Sequence, residues 1–300
     1  MIKILSANEE KIYPIHIAAR KGLNKLIPIL CKKFKIDQRD SNGKTPLFVA
    51  IEEGQYTTVK TLIKNCKTSI GYCSISFQGV KIDFSDISYA VRYGEIECFD
   101  ILIEHVKDTV FFKIPIKEIG NLLHIAIHFG NLEMLQHLLN KYPEQTKPLL
   151  EEKNIYKQTP LILATCLDDL EAVSILLKKG ANLEGKGLLN RTAMHFAVVN
   201  KNKAAIEFLY RLGAKIEPKD TNRKTPLDLL EKSNDILSKA IKTFLINLSN
   251  SNDNIEKSPP NFSFRPPKNL VFQGGGAKGA AYLGAIESLS RLNRNVPFPG

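Results

Sequence analysis

Several features that identify particular classes of protein are missing from this sequence. Tryptophan is absent, only three methionines occur among the 300 residues, and no run of five like charges is present. No apolar run reaches the ~18 residues that a membrane-spanning helix needs. The N-terminus turns acidic at Glu9 and Glu10 before an apolar stretch forms. The sequence therefore predicts neither a transmembrane helix nor a secretory signal peptide.

Cysteine pairs at metal-binding or redox spacing are also missing. The five cysteines are odd in number and form no CxxC motif, so a disulfide framework and a zinc ribbon are not expected. Cys66 and Cys73 are interpreted as buried or incidental thiols rather than a redox pair. His124 and His128 share one helix face, but no Glu completes an HExxH motif, and no metal or cofactor is predicted. We expect a cytoplasmic location, with export into a host cell as the alternative for a bacterial effector.

Positive charge is abundant but dispersed. The net charge is +11 and the sequence pI is about 9.3, values that raise nucleic acid or anionic lipid as partners. Because the basic residues form no cluster, a solvated basic surface is the favoured interpretation and no nucleic-acid partner is expected.

What the sequence contains is an internal repeat. A segment of the form Thr-Pro-Leu-His-x-Ala, ending in glycine, recurs every 32 to 40 residues, and its proline position falls at residues 14, 46, 86, 122, 160, 193 and 226. In the first six copies an apolar pair at helical i, i+3 spacing begins thirteen residues later. Each unit is therefore predicted as turn, short helix, turn and longer helix. Proline suits the first position of a helix. The short helices end where a positive φ is expected, at Gly22, Gly54, Gly94, Gly130, Asp168, Lys201 and Asn234.

This pattern resembles the ankyrin repeat, whose period is about 33 residues. The resemblance implies an all-α solenoid of seven helix-turn-helix repeats over residues 10–246, within a domain spanning 1–248, that binds a protein partner. It also implies that His16, His124 and His195 tie neighbouring turns together rather than catalyse. In repeat 7, Lys239 and Lys242 replace apolar residues, so a shifted helix is predicted with Ala240, Ile241, Phe244 and Leu245 available for packing. That is typical of a capping repeat.

Two insertions lengthen the connections between repeats. Residues 72–84 alternate apolar and polar around Gln78-Gly79, a pattern that predicts a β-hairpin extending from the repeat loop. Residues 141–156 lengthen the loop between repeats 4 and 5. Both insertions are interpreted either as partner-binding elements or as neutral surface elaborations, because loops serve both roles.

A compositional change follows residue 248. Residues 249–268 are rich in Ser, Asn and Pro and are predicted to be a linker. Residues 269–300 open with the apolar segment Leu270-Val271-Phe272, then a glycine-rich turn, then a predicted helix. Bare N–H groups on such a turn favour negative charge, as an oxyanion hole or as a phosphate cradle. The GxGxxG spacing alone is weak evidence for a dinucleotide, and no acidic residue follows about 20 positions later.

This segment resembles the opening strand, loop and helix of patatin-like phospholipases, which have an α/β domain. The resemblance implies an oxyanion hole at Gly274, Gly275, Gly276, Lys278 and Gly279. The family's serine nucleophile lies in GxSxG and its aspartate precedes glycine, and neither motif occurs here. No catalytic residue is therefore assigned in this chain.

Two functions remain open at this stage. The first is a binding scaffold attached to an incomplete, inactive lipid acyl hydrolase domain. The second is the N-terminal part of an acyl hydrolase whose nucleophile and aspartate lie beyond residue 300, with phospholipid or a membrane surface as a further partner. The first is favoured for the 300 residues, because an oxyanion loop without a nucleophile has no covalent step to stabilise.

Overall fold

The computed structural model describes residues 13–77, 80–106, 115–116, 119–231 and 235–250, and the chain divides into two compact units after Glu118. The segment with the predicted oxyanion hole (Gly274, Gly275, Gly276, Lys278 and Gly279) lies outside the described residues, as does the predicted linker beyond residue 250.

Unit 1 contains three helix pairs among its described residues. The first helices of the pairs form one layer, in which α3 contacts both α1 and α5, and the second helices form another, in which α4 contacts α2 and α6. The bounds are α1 (Pro14–Arg20), α2 (Ile27–Cys31), α3 (Pro46–Glu52), α4 (Tyr56–Lys64), α5 (Asp86–Tyr93) and α6 (Ile96–Val106). Leu47, Val59, Leu62 and Phe99 are fully buried between the layers.

The Thr-Pro sequence starts helices as predicted. Thr45 lies just before α3, its side-chain oxygen accepts a hydrogen bond from the Phe48 backbone N–H, and Pro46 occupies the first helical position. Thr159 and Pro160 act in the same way at α10 of unit 2. The hydroxyl satisfies an amide that the first turn of a helix leaves without a partner, and proline has no amide to lose there.

An antiparallel hairpin precedes α5. Strand β1 (Tyr72–Phe77) pairs with β2 (Val80–Ser85) in a register that places Cys73 opposite Phe84. Cys73 and Phe84 are buried, and Phe84 lies edge-on to Tyr89 of α5 at a centroid separation of 5.8 Å. The base of the hairpin is thus anchored in the core of unit 1.

Unit 2 repeats the same two-layer plan. Helix α10 contacts α7 and α12 in the first layer, and α11 contacts α8 in the second. A short α9 and a 3₁₀ turn at Pro148–Leu150 fill the long connection between repeats 4 and 5, with Thr146 and Leu149 buried. The bounds are α7 (Leu122–His128), α8 (Leu132–Lys141), α9 (Pro143–Thr146), α10 (Pro160–Cys166), α11 (Leu170–Lys178), α12 (Ala193–Val199), α13 (Lys203–Arg211) and α14 (Ile236–Asn250).

The last repeat differs from the others. Its first helix is reduced to a 3₁₀ turn at Asp228–Leu230. Helix α14 buries Ser238, Ile241, Leu245 and Leu248, spaced as one helical face. The prediction of Ile241 and Leu245 as packing residues is confirmed, whereas that for Ala240 is wrong, because Ala240 lies on the exposed side of the helix.

The positive φ predicted at the ends of the first helices is also confirmed for two residues other than glycine, whereas the third, Asn234, lies outside the described residues. Asp168 has φ 60° and Lys201 has φ 55°. A left-handed backbone is unfavourable for a lysine. Lys201 nevertheless adopts this left-handed conformation. Its side chain forms an ion pair with Asp235, in which Lys201 Nζ lies 2.6 Å from Asp235 Oδ2.

Candidate functional site

Three tight turns of unit 2 share one pattern of backbone hydrogen bonds. We call them turn A (154–158), turn B (187–191) and turn C (220–224). In each, the first residue's N–H donates to the carbonyl of the fifth, at 3.0, 2.7 and 2.9 Å, and the fourth residue's N–H donates back to the first carbonyl. Turns A and C precede a Thr-Pro sequence, and turn B precedes Thr192-Ala193.

A side chain stabilises turns A and C from within. In turn A, Asn154 Oδ1 accepts hydrogen bonds from the Tyr156 and Gln158 amides, both at 3.0 Å. In turn C, Asp220 Oδ1 accepts from the Asn222 and Lys224 amides at 2.8 and 3.0 Å. Such contacts imitate a backbone turn and fix its shape.

Turn B begins with glycine instead. A Cβ on Gly187 would lie 2.9 Å from both the Lys157 carbonyl oxygen and Ile162 Cδ1. Backbone from turn A therefore occupies the space that a side chain would need. Turn B also contains two successive left-handed residues, Leu189 and Asn190, with φ of 56° and 58°.

Buried histidines join each repeat to the next turn. His124 Nε2 lies 2.9 Å from the Gln158 carbonyl at the end of turn A, and His195 Nε2 lies 3.3 Å from the Lys224 carbonyl at the end of turn C. In unit 1, His16 Nε2 lies 3.0 Å from the Lys44 carbonyl of the corresponding turn. The prediction that these three histidines tie neighbouring turns together is confirmed.

Burial keeps these imidazoles neutral. Desolvation lowers the pKa of His124 to about 4, against a smaller opposing effect of the Gln158 carbonyl. Desolvation likewise lowers the pKa of His16 and of His195. At neutral pH each ring carries one proton, and a carbonyl partner needs it on Nε2. In His195 the other nitrogen, Nδ1, then accepts from the Thr192 amide at 3.1 Å.

Lateral contacts connect turns B and C. Turn C contacts turn B through the Thr221 N–H, which donates to the Leu189 carbonyl at 2.9 Å, and through the ion pair of Arg191 and Asp220 at 3.2 Å. Burial opposes ionisation of Asp220, but bonds from the Lys224 amide and Arg191 outweigh it and lower the pKa.

The segments that precede the three turns in the sequence are linked by side-chain carboxylates. Glu151 accepts from the Asn182 amide at 2.7 Å, and Glu184 accepts from the Lys215 amide at 2.8 Å. The turns of unit 2 are therefore held in a fixed row.

Apolar side chains project from this row. Ile155 and Tyr156 at turn A are 53% and 37% exposed, and Leu188 at turn B is 42% exposed. We call these three residues the fingertip row. Exposed basic residues lie in or next to the same row of turns, at Lys157 of turn A, Lys186 just before turn B and Arg223 of turn C. Single exposed apolar residues are common on protein surfaces. Ile155 and Leu188, however, hold the same position in successive turns, and together with Tyr156 they form a candidate contact surface.

The structure gives no support to a metal centre in its described ranges. No group of three or more His, Cys, Asp and Glu side chains is placed to hold a metal ion there. His128 packs edge-on against Phe129, with ring centroids 5.0 Å apart. No helix of the described segments is long and apolar enough to cross a bilayer.

Sequence reasoning identified the insertion at 141–156 as a candidate surface but missed Leu188. The available signal was positional. Leu188, like Ile155, directly follows the first residue of its turn and lies four residues before the start of the Thr-Pro or Thr-Ala motif.

Comparison with known proteins agrees with this architecture. The family model described as "Ankyrin repeats (3 copies)" matches residues 1–71 and 123–222. A putative ankyrin repeat protein of Rickettsia felis is 26% identical over 238 residues, which cover 79% of this chain and 55% of that protein. The ankyrin repeat and KH domain-containing protein mask-1 of Caenorhabditis elegans is 30% identical over 196 residues, which cover 64% of this chain and 7% of that protein. This chain thus spans about half of one relative and a small part of the other.

Solved structures show the same fold. The crystal structure of the ankyrin repeat domain of Bcl-3 matches with a TM-score of 0.61 and 22% identity, covering 74% of this chain and 95% of that one. The human ASB11 ankyrin repeat domain matches with a TM-score of 0.58 and 20% identity, covering 79% of this chain and 98% of that one. Since the repeat geometry, the histidine contacts and a family match over more than half of the chain agree, this chain belongs to the ankyrin-repeat family.

Proposed function

We propose that this ankyrin-repeat chain is a protein-binding scaffold and that the fingertip row is its contact surface in unit 2. The observation that carries the proposal is the exposure of Ile155, Tyr156 and Leu188 on turns whose backbone is fixed by internal hydrogen bonds. Large apolar and aromatic side chains supply much of the affinity at protein interfaces. Turns that are already ordered lose little conformational entropy on binding.

The charges around the row define the partner more closely. Lys157, Lys186 and Arg223 are exposed in or next to the turns of this row. A complementary partner would place an apolar pocket over Tyr156 and carboxylates around that pocket. Charged groups at the rim of an interface mainly set association rate and selectivity, so binding should weaken as salt concentration rises.

A photo-crosslinking amino acid in place of Tyr156 tests this proposal in the cells from which the protein comes. We expect a discrete crosslinked partner from position 156. The matched control places the same amino acid at Tyr56, which is 50% exposed at the start of α4 in unit 1. The same adducts from both positions, or adducts that persist when Ile155 and Leu188 are changed to Ser, would contradict the proposal.

A second function rests on the glycine-rich sequence motif. Gly274, Gly275, Gly276, Lys278 and Gly279 resemble the oxyanion hole of patatin-like phospholipases, and we infer lipid acyl hydrolysis if further chain supplies the nucleophile and aspartate. Phospholipid or a membrane surface would then be an additional partner. The first test is the intact mass of the natural protein. If its chain continues, acyl-ester hydrolysis by that protein should be abolished by Gly275→Asp, while an inactive longer protein would eliminate this function.

The location of the protein is a separate proposal. We infer a cytoplasmic site of action, because the five cysteines are free in the structure and reduced thiols are typical of that compartment. Fractionation of the source cells would test it. Recovery from the cytoplasm of a second, infected cell would instead favour the effector alternative.

A further inference from the structure

Two cysteines from neighbouring repeats meet on unit 1. Cys31 is the last residue of α2, and Cys66 lies two residues beyond the end of α4. Their sulfur atoms are 2.9 Å apart. Both are free thiols with intermediate exposure, whereas Cys73 and Cys98 are buried.

The distance brings the two sulfurs close to covalent reach. A disulfide has an S–S length of about 2.05 Å, so about 1 Å of approach would join them. Helices α2 and α4 contact each other directly in the second layer of unit 1, and this packing already holds the two thiols together. The sequence analysis considered Cys66 only with Cys73 and missed its contact with Cys31, because 35 residues separate Cys31 and Cys66 in the sequence.

The surroundings of the pair are basic. Lys32, Lys33, Lys64 and Lys67 are all exposed and lie within two residues of one of the two cysteines. Such a cluster raises the local concentration of small anions and favours a negatively charged reagent over a neutral one.

We propose that Cys31 and Cys66 are a redox modification site, at which a small anionic disulfide such as glutathione disulfide converts the two thiols into a reversible disulfide between repeats 1 and 2. This inference is independent of the proposed function, since it concerns unit 1 and requires no partner protein.

The exchange balances in two steps. The thiolate of one cysteine attacks glutathione disulfide, forms a mixed disulfide and releases one glutathione thiolate. The thiolate of the second cysteine then attacks the protein sulfur of that mixed disulfide and displaces the second glutathione. The two protein thiols are oxidised, one glutathione disulfide is reduced, and the two thiol protons pass to the released glutathione or to water.

The step in which Cys31 is the attacking thiol should be slow at neutral pH. Burial, followed by the hydrogen bond to Cys66 and its proximity, raises the pKa of the Cys31 thiol to about 12. Because the thiolate is the attacking species, we expect the rate of cross-link formation to rise between pH 7 and pH 9.

The test uses the full chain, incubated with glutathione disulfide and digested without reduction. We expect a Cys31–Cys66 cross-linked peptide that has lost the mass of two hydrogen atoms, a higher unfolding temperature for the oxidised protein, and reversal of both by dithiothreitol. The rise in unfolding temperature follows because a cross-link restricts the unfolded chain.

Matched variants separate the pair from the other thiols. Cys31→Ser and Cys66→Ser should each stop at a single mixed disulfide with glutathione, and Cys98→Ser should form the cross-link as the unmodified chain does. Stable glutathione adducts on both cysteines without a cross-link would overturn the proposal. A cross-link to another cysteine, or no reaction up to pH 9, would overturn it as well.

Discussion

Asp86 is a carboxylate enclosed at the start of α5. Asp86 is only 1% exposed. Its Oδ2 accepts a hydrogen bond from the Gly71 amide at 2.7 Å, and its Oδ1 has no hydrogen-bond partner among the described residues. Burial raises the pKa of Asp86 to about 7, although the Gly71 hydrogen bond opposes this. The folded state therefore holds a proton that the unfolded state releases near pH 4.

The sign of the resulting pH dependence is fixed by this difference. The contribution of Asp86 to stability is complete below about pH 4 and is lost as the pH rises through about 7. For Asp86→Asn we expect an increase of about 1–3 kcal/mol in the free energy of unfolding at pH 8 and no increase at pH 4. Urea denaturation of both proteins at the two pH values measures this, and an equal effect at both would contradict it.

His124 has the opposite pH dependence. Its pKa falls from an ordinary 6.5 to about 4 on burial, so its contribution to stability is present above about pH 6.5 and is lost as the pH falls towards 4.

The chain itself suggests a conservative replacement for His124, since Phe48 occupies the equivalent position of repeat 2. We expect His124→Phe to lose about 1 kcal/mol at pH 7, because the contact with the Gln158 carbonyl is removed. The variant should lose less stability than the unmodified protein between pH 7 and pH 5. Urea unfolding at both values checks this, and identical pH slopes would show that His124 does not titrate as described.

At the level of elements, the helices were predictable and the surface of the turns was not. The Thr-Pro starts, the apolar i, i+3 pairs and the positive φ at Asp168 and Lys201 are local requirements of a repeat, and local patterns reveal them. The predicted buried face of α14 was partly wrong. Packing against neighbouring elements decides which face is buried, and a local sequence pattern does not show that packing. The lateral contacts of turns A, B and C depend on stacking between repeats and have no counterpart in a single repeat sequence.

Gly187 tests the fixed spacing of turns A and B. For Gly187→Ala we expect a loss of about 1–3 kcal/mol, because the new Cβ would press on the Lys157 carbonyl and on Ile162. The matched control is Gly71→Ala in unit 1, where a Cβ would meet no atom within 4 Å. The unfolding temperatures of both variants test this prediction. Equal values would show that turn A moves aside for the new Cβ without loss of stability.

Across the whole chain, Asp86 and His124 should shift the pH responses of their two units in opposite directions. Asp86 lies in unit 1 and His124 in unit 2. From pH 5 to pH 8 we expect Asp86 to lower the urea midpoint of unit 1 and His124 to raise that of unit 2. Pulse hydrogen exchange with peptide-level mass spectrometry resolves the two midpoints. The double variant Asp86→Asn/His124→Phe provides the control. If the urea midpoints of its two units changed with pH as they do in the unmodified protein, Asp86 and His124 would not be the groups responsible.

The candidate site was only partly predictable at this scale. The family and fold of the chain followed from the repeats. The family model matches residues 1–71 and 123–222. The proximity of Cys31 and Cys66 arises only when one repeat stacks on the next. The glycine motif at 274–279 remains a prediction from sequence.

The structure of turns A and C has a consequence for how such a chain can change over generations. The side chains of Asn154 and Asp220, the backbone bonds and the histidines shape these loops, while Ile155, Tyr156, Thr221 and Asn222 at the tips are exposed. Substitutions at the tips therefore cost the fold little and can alter recognition directly. A lineage of such proteins could exchange one partner for another through a few codons while the scaffold beneath them stayed the same.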